Sequence, residues 1–181
     1  MEYRSRNSVF YLCLCALFVA LSAVLSQLVL PIGPVPINMV HISIFTAAGL
    51  LGAKYGTLSQ VVFVLMGAVG LPVFSYMSGG MGIIAGPTGG FIVGNVLCTL
   101  VVALIISKRG RSVPSLIIAM YAGYAVTYAF GIPWMMYVTG MELVPTLIFM
   151  ASFLPGDALK VAVSVVLIRR LYTAIQRRVF V

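Results

Sequence analysis

Apolar runs succeed one another along this chain, and its cations fall in alternate gaps between them. Arg4 and Arg6 precede the first run, and Lys54 separates the second from the third. Lys108, Arg109 and Arg111 separate the fourth from the fifth, and Arg169, Arg170, Arg177 and Arg178 follow the sixth. Loops rich in Lys and Arg stay on the cytoplasmic side of a membrane. Six spans therefore place these charges, all but one of the 11 Lys and Arg residues, on the inner face together with both termini. An odd number of spans puts the ends on opposite faces and breaks the pattern. The chain is 62% hydrophobic and 8% charged, more apolar than a water-soluble fold of 181 residues can conceal. At roughly 20 residues per span, the length accommodates six spans and short loops. The expected fold is an all-α integral membrane domain over residues 1–181, with six transmembrane helices and no separate soluble domain.

The spans are expected at about 8–30, 39–53, 55–71, 90–107, 114–130 and 145–168. The first run, Val9 to Leu30, exceeds a signal-peptide core, and Pro31-Ile32-Gly33-Pro34 is not a small-x-small cleavage site, so a retained span is expected. The fifth should end before Gly131-Ile132-Pro133, leaving Trp134, Tyr137 and Glu142 on an outer loop. The sixth should break at Leu154-Pro155-Gly156, because proline cannot continue a helix without losing a hydrogen bond. Two outer stretches carry no charge. PIGPVPIN follows the first span, and LPVFSYMSGGMGIIAGPTGG, rich in glycine, runs from Leu71 to Gly90. Irregular backbone near a membrane is tolerated where protein covers it or it lines a cavity. The second stretch should therefore fold back onto the mouth of the bundle.

The net charge of +8 follows from the topology signal and does not form a basic face with interleaved aromatics, which argues against a nucleic-acid partner and for contact with anionic lipid. Cys13, Cys15 and Cys98 have no metal-ligand spacing, and no metal site is expected. No Gly-Lys-Ser or Gly-Lys-Thr occurs, so the chain lacks a phosphate-binding loop of the Walker type. No nucleophile, base and orienting group stand at a recognisable spacing, so no catalytic residue, cofactor or enzyme activity is expected.

The exceptional cation is Lys160, inside the last apolar run and three residues after Asp157. At i and i+3 the two share one helix face. Asp157 should stand in the first turn of a restarted helix, where free N–H groups and the dipole favour a carboxylate. Charges inside a membrane are costly, and they mark either a structural pair that locks two helices or a polar binding centre. Gly86-Pro87-Thr88-Gly89-Gly90 lets backbone approach a ligand closely. Phe74, Tyr76, Tyr124, Tyr128 and Trp134 fall in the outer half, as interfacial anchors or as cavity walls. Asn38, Gln27 and Asn95 are ambiguous polar groups, and His41 reads as a satisfied polar residue near the outer end of the second span. Ala16, Ala20 and Ala23 form a small-residue stripe for close helix packing, within this chain or against another.

GLLGAKYGTLSQVVFVLMGAVGLPVF, the following GPTGGFIVGN, and LPGDALK together resemble the biotin transporter family BioY. Members of that family are the substrate-capture (S) components of energy-coupling factor (ECF) transporters. The resemblance spans most of the chain and is strongest over Gly49 to Asn95 and Leu154 to Lys160. It implies a six-helix S-component bundle in a prokaryotic plasma membrane, with a vitamin pocket near the outer face. It also implies partners: biotin, a transmembrane coupling subunit, and two ATPase subunits that alone use ATP. By the same resemblance Asp157 and Lys160 are biotin contacts, and Ala16 and Ala20 face the coupling subunit. Candidate substrate-binding residues are thus Asp157, Lys160, Phe74, Gly86, Pro87, Thr88, Gly89, Gly90, Asn95 and Tyr124. Biotin's urea ring offers N–H groups to Asp157, while Lys160 suits either the ring carbonyl or the carboxylate tail. The alternatives are an S component for another small vitamin and a self-sufficient secondary transporter. The latter predicts ion-coupling carboxylates or an inverted repeat, and neither is visible.

Overall fold

Gly52 determines the shape of the inner bundle. In the computed structural model, helix α2 is assigned over Val40–Ala68, but Gly52 inside it has φ 72° and ψ −171°. That conformation costs glycine little and other residues much. Gly56 then lies so close to Ala47 that a Cβ on it would meet the Ala47 carbonyl oxygen at 3.0 Å. Nine residues along an unbroken helix are about 13 Å apart, so the chain doubles back at Gly52. The expected junction at Lys54 lies two residues past the break.

The structure describes the backbone of residues 2–30 and 36–179, and the side chains of residues 8–29 and 36–174. Helix α1 (Glu2–Gln27) precedes a two-residue strand β1 (Val29–Leu30), which pairs antiparallel with β2 (Ile37–Asn38) before α2. Most of the uncharged PIGPVPIN loop, residues 31–35, lies outside the described residues. After α2 come a 3-10 turn (Ser75–Met77) and a short helix α3 (Met81–Ala85). Then follow α4 (Gly89–Arg109), α5 (Val113–Thr139), α6 (Leu143–Ala151) and α7 (Leu154–Val179). Among the described residues, four helices are long and apolar enough to cross a membrane. The count becomes five if α6 and α7, bent 45° from one another, form one span.

Two expected helix ends move. α5 does not stop at Gly131 but continues through Pro133 to Thr139, and Gly140, at φ 69°, caps it with its N–H on the Met136 carbonyl. Proline is tolerated within membrane helices because neighbouring groups satisfy the freed carbonyl. Gly131 instead makes room for a neighbour, since a Cβ there would sit 2.2 Å from the Phe91 ring. Trp134 and Tyr137 therefore project from a helix and not from a loop. The α6–α7 break falls at Ser152–Phe153, and Pro155 occupies the first turn of α7, where its missing N–H costs least.

The core is formed chiefly by α2, α4 and α5 around Phe45, Met120, Leu116 and Val102. Polar side chains tie α1 to both arms of α2. Ser22 Oγ lies 2.8 Å from Ser43 Oγ, and Gln60 Nε2 donates to Ser22 Oγ at 3.1 Å. The outward face of α1 is apolar and exposed at Leu12, Leu17, Leu21 and Val24, a surface suited to lipid rather than water.

One end of the bundle gathers the charge-bearing turns. Tyr11 of α1 stacks on Tyr55 beside the α2 reversal, 5.4 Å between centroids. Arg111, in the turn between α4 and α5, donates to the Gly49 carbonyl at 3.0 Å and lies over the Tyr172 ring of α7. Lys54 stands on the same reversal. The side chains of Arg4, Arg6, Arg177 and Arg178 lie outside the described residues.

Candidate functional site

At the opposite end, a cavity of about 350 Å³ opens among α2, α4, α5, α7 and the stretch between α2 and α4. That volume suits a small ligand. Asp157 and Lys160 enter it from the first two turns of α7, both at most 3% exposed. Lys160 Nζ donates to Asp157 Oδ1 at 3.0 Å, and the Tyr128 hydroxyl donates to Asp157 Oδ2. The carboxylate thus has a counter-ion and a second donor, and an ionised carboxylate still has acceptor positions for another. Helix spacing brings Tyr124 and Tyr128 onto one face of α5. Their rings stack 6.0 Å apart, and Phe91 meets Tyr128 edge-on.

The uncharged stretch after α2 does fold back over the bundle. Phe74 is buried where Gly67 leaves space, since a Cβ on Gly67 would fall 2.0 Å from the ring. Phe63 meets it edge-on. Tyr76 and Met77 take left-handed φ values of 61° and 53°, uncommon for residues with side chains. Gln27, at the end of α1, supports this turn: its Oε1 accepts the Met77 N–H at 2.8 Å and its Nε2 donates to the Phe74 carbonyl at 2.9 Å. Asn38 Nδ2 donates to Ser75 Oγ at 2.8 Å. On the far side Trp134 Nε1 donates to the Gly86 carbonyl at 2.9 Å. The stretch is fastened from α1, from β2 and from α5.

Of the expected site residues, Asp157, Lys160, Phe74, Gly86, Pro87, Thr88, Asn95 and Tyr124 all border this cavity. Gly89 and Gly90 do not. They pass under neighbouring backbone, where a Cβ would meet the Ile84 carbonyl oxygen at 1.7 Å and Trp134 Cβ at 2.4 Å respectively. Their small size serves the contact of α4 with α3 and α5. The cavity also takes residues that the sequence left unresolved or unassigned: Tyr128, His41, Asn38 and Phe153. Tyr128 was detectable in principle, four residues after Tyr124. Ala16 and Ala20 lie on the exposed face of α1, away from the cavity, while Ala23 is half-buried. The described residues leave the first two exposed.

A model of the BioY family matches residues 2–177, nearly the whole chain. The chain belongs to the BioY family. A biotin transporter BioY from Rhizobium etli is 35% identical over 168 residues, covering 86% of this chain and 89% of that protein. One from Thermotoga maritima is 39% identical over 116 residues, 64% of this chain and 68% of its own length. A probable biotin transporter BioY from Pyrococcus horikoshii is 36% identical over 160 residues, covering 87% and 93%. The crystal structure of the S-component for biotin from an ECF-type ABC transporter matches with a TM-score of 0.86 at 31% identity. It covers 93% of each chain. This chain thus shares sequence with BioY proteins and its backbone with the solved S-component.

Proposed function

We propose that this chain is the biotin-binding S component of an ECF-type ABC transporter, capturing biotin at the outer face of a prokaryotic plasma membrane. The observation that carries the reading is the cavity itself: an aromatic and apolar enclosure with a single buried acid–base pair, in a chain of the BioY family. Biotin has the matching parts, a urea ring with two N–H donors and a carbonyl, an apolar thioether ring, and a carboxylate tail. Asp157 accepts from the urea N–H groups. Lys160 is bonded to Asp157, so the pair is near neutral and offers little to a ligand carboxylate beside it. The urea ring therefore points inward, and the tail points toward the fastened loop, where Ser75, Ser78 and Thr88 border the cavity.

In this reading the whole chain is one membrane unit of six spans, with α2 supplying two of them on either side of Gly52. Both termini are cytoplasmic, at the end that carries Lys54 and Arg111. Without a Walker sequence the chain depends on two ATPase subunits, joined through a membrane coupling subunit that docks on Ala16 and Ala20. Uptake tests this directly. In cells lacking other biotin carriers, the chain produced together with coupling and ATPase subunits should accumulate labelled biotin, and an ATPase-dead module should abolish the accumulation. Equal uptake by the chain alone in liposomes, with no module present, assigns it instead to self-sufficient transport.

A further inference from the structure

Buried polar atoms in folded proteins are almost always paired, and each exception asks for an explanation. Among the described residues, the buried side-chain atoms without a hydrogen-bond partner are His41 Nδ1, His41 Nε2, Tyr124 Oη and Thr57 Oγ1. The His41 and Tyr124 side chains stand together in one wall of the ligand cavity. Their rings are 4.7 Å apart and tilted by 37°, and Phe45 packs against both. The rings fix each other's position without satisfying each other. Asn95 stands beside the imidazole but outside hydrogen-bonding geometry. Tyr124 in turn stacks on Tyr128, which is bonded to Asp157, and its own hydroxyl stands beside that carboxylate but outside hydrogen-bonding geometry. The unpaired atoms are therefore neighbours of the acid–base pair.

We propose that His41 and Tyr124 are specificity-determining residues that bind the carbonyl oxygen of the ligand's urea ring, each donating one hydrogen bond to it. The inference rests on the biotin reading above and extends it to the half of the urea that Asp157 cannot serve. An ionised carboxylate only accepts hydrogen bonds, so it recognises N–H and not C=O. Lys160 gives one of its three N–H donors to Asp157 at 3.0 Å and is held there by the pair. A neutral imidazole has one N–H and a phenol one O–H, and neither is used in this wall. A carbonyl oxygen has two lone pairs, one for each. A wall that hydrogen-bonds a ligand group rejects analogues lacking that group far more strongly than an apolar wall does.

The test uses the purified full-length chain, the ligands biotin and its cyclic thiourea analogue 2-thiobiotin, whose sulfur is a weak acceptor, and the variants His41→Phe and Tyr124→Phe. Wild type should prefer biotin. Each variant should bind biotin about tenfold more weakly and should show a smaller preference over the thiourea, because the lost donor matters more to oxygen than to sulfur. Tyr124→Phe keeps the ring and its stacking, so it decides the matter if His41→Phe does not fold. Wild-type biotin affinity in Tyr124→Phe, or equal weakening toward both ligands with an unchanged preference, assigns these residues to packing and overturns the inference alone. A wild-type chain that binds no biotin overturns the functional reading, and this inference with it.

Discussion

Asp157→Asn should weaken biotin binding by at least about tenfold and should also destabilise the ligand-free protein. The two effects have different sources. An ionised acceptor of the ligand's N–H bonds is lost, and hydrogen bonds to charged groups contribute about 1.5–3 kcal/mol, against about 1.4 kcal/mol for each tenfold in affinity. Separately, Lys160 is left buried without a counter-ion, and breaking a buried pair by removing one partner costs about 3–5 kcal/mol. The double variant Asp157→Asn with Lys160→Met separates them. Replacing both charges by groups of similar volume is often neutral for stability, so thermal unfolding in detergent should return toward the wild-type midpoint. Biotin affinity, measured by calorimetry, should stay low. If the double variant binds biotin as the wild type does, the pair is only a lock between helices and the site lies elsewhere.

Ala16→Trp and Ala20→Trp should abolish module-driven uptake while leaving biotin binding to the isolated chain near its wild-type value. Both alanines are exposed on α1, whereas the cavity lies toward the end where α1 finishes at Gln27. Small residues let a second helix approach closely, and an indole blocks that approach. The measurement is paired, with affinity on purified variants and ATP-dependent uptake in cells that contain the coupling and ATPase subunits. Normal uptake by both variants contradicts docking at this stripe. Loss of binding as well as uptake contradicts the separation of capture from coupling.

The apolar helices were legible in the sequence because the membrane punishes misplaced charge. The Lys108–Arg111 cluster marks the turn between α4 and α5, Lys54 stands two residues past the Gly52 break, and the same penalty makes Asp157 and Lys160 conspicuous. Their i, i+3 spacing was enough to foresee a shared face. What stayed hidden depends on partners distant in sequence. Gly52 reverses α2, but Gly49 and Gly56 flank it, and nothing local says which glycine takes φ 72°. Pro133 looks like a helix end by the rules of soluble proteins, yet α5 runs on because packing and the membrane outweigh one missing N–H. Gln27 looked like any polar residue near a helix end, and only the fold brings the Met77 N–H to it across 50 residues. His41 read as satisfied because most buried histidines are. Gly89 and Gly90 share a motif with Gly86, but they turn under α3 and Trp134 and not toward the cavity.

Equilibrium binding of labelled biotin to the purified wild-type chain, in detergent and without any ATPase or coupling subunit, tests the central claim most directly. One saturable site per chain is expected, emptied by excess unlabelled biotin and unaffected by an excess of a small vitamin that lacks a cyclic urea. A folded chain that shows no saturable biotin binding, or one from which such a vitamin displaces biotin equally well, contradicts it.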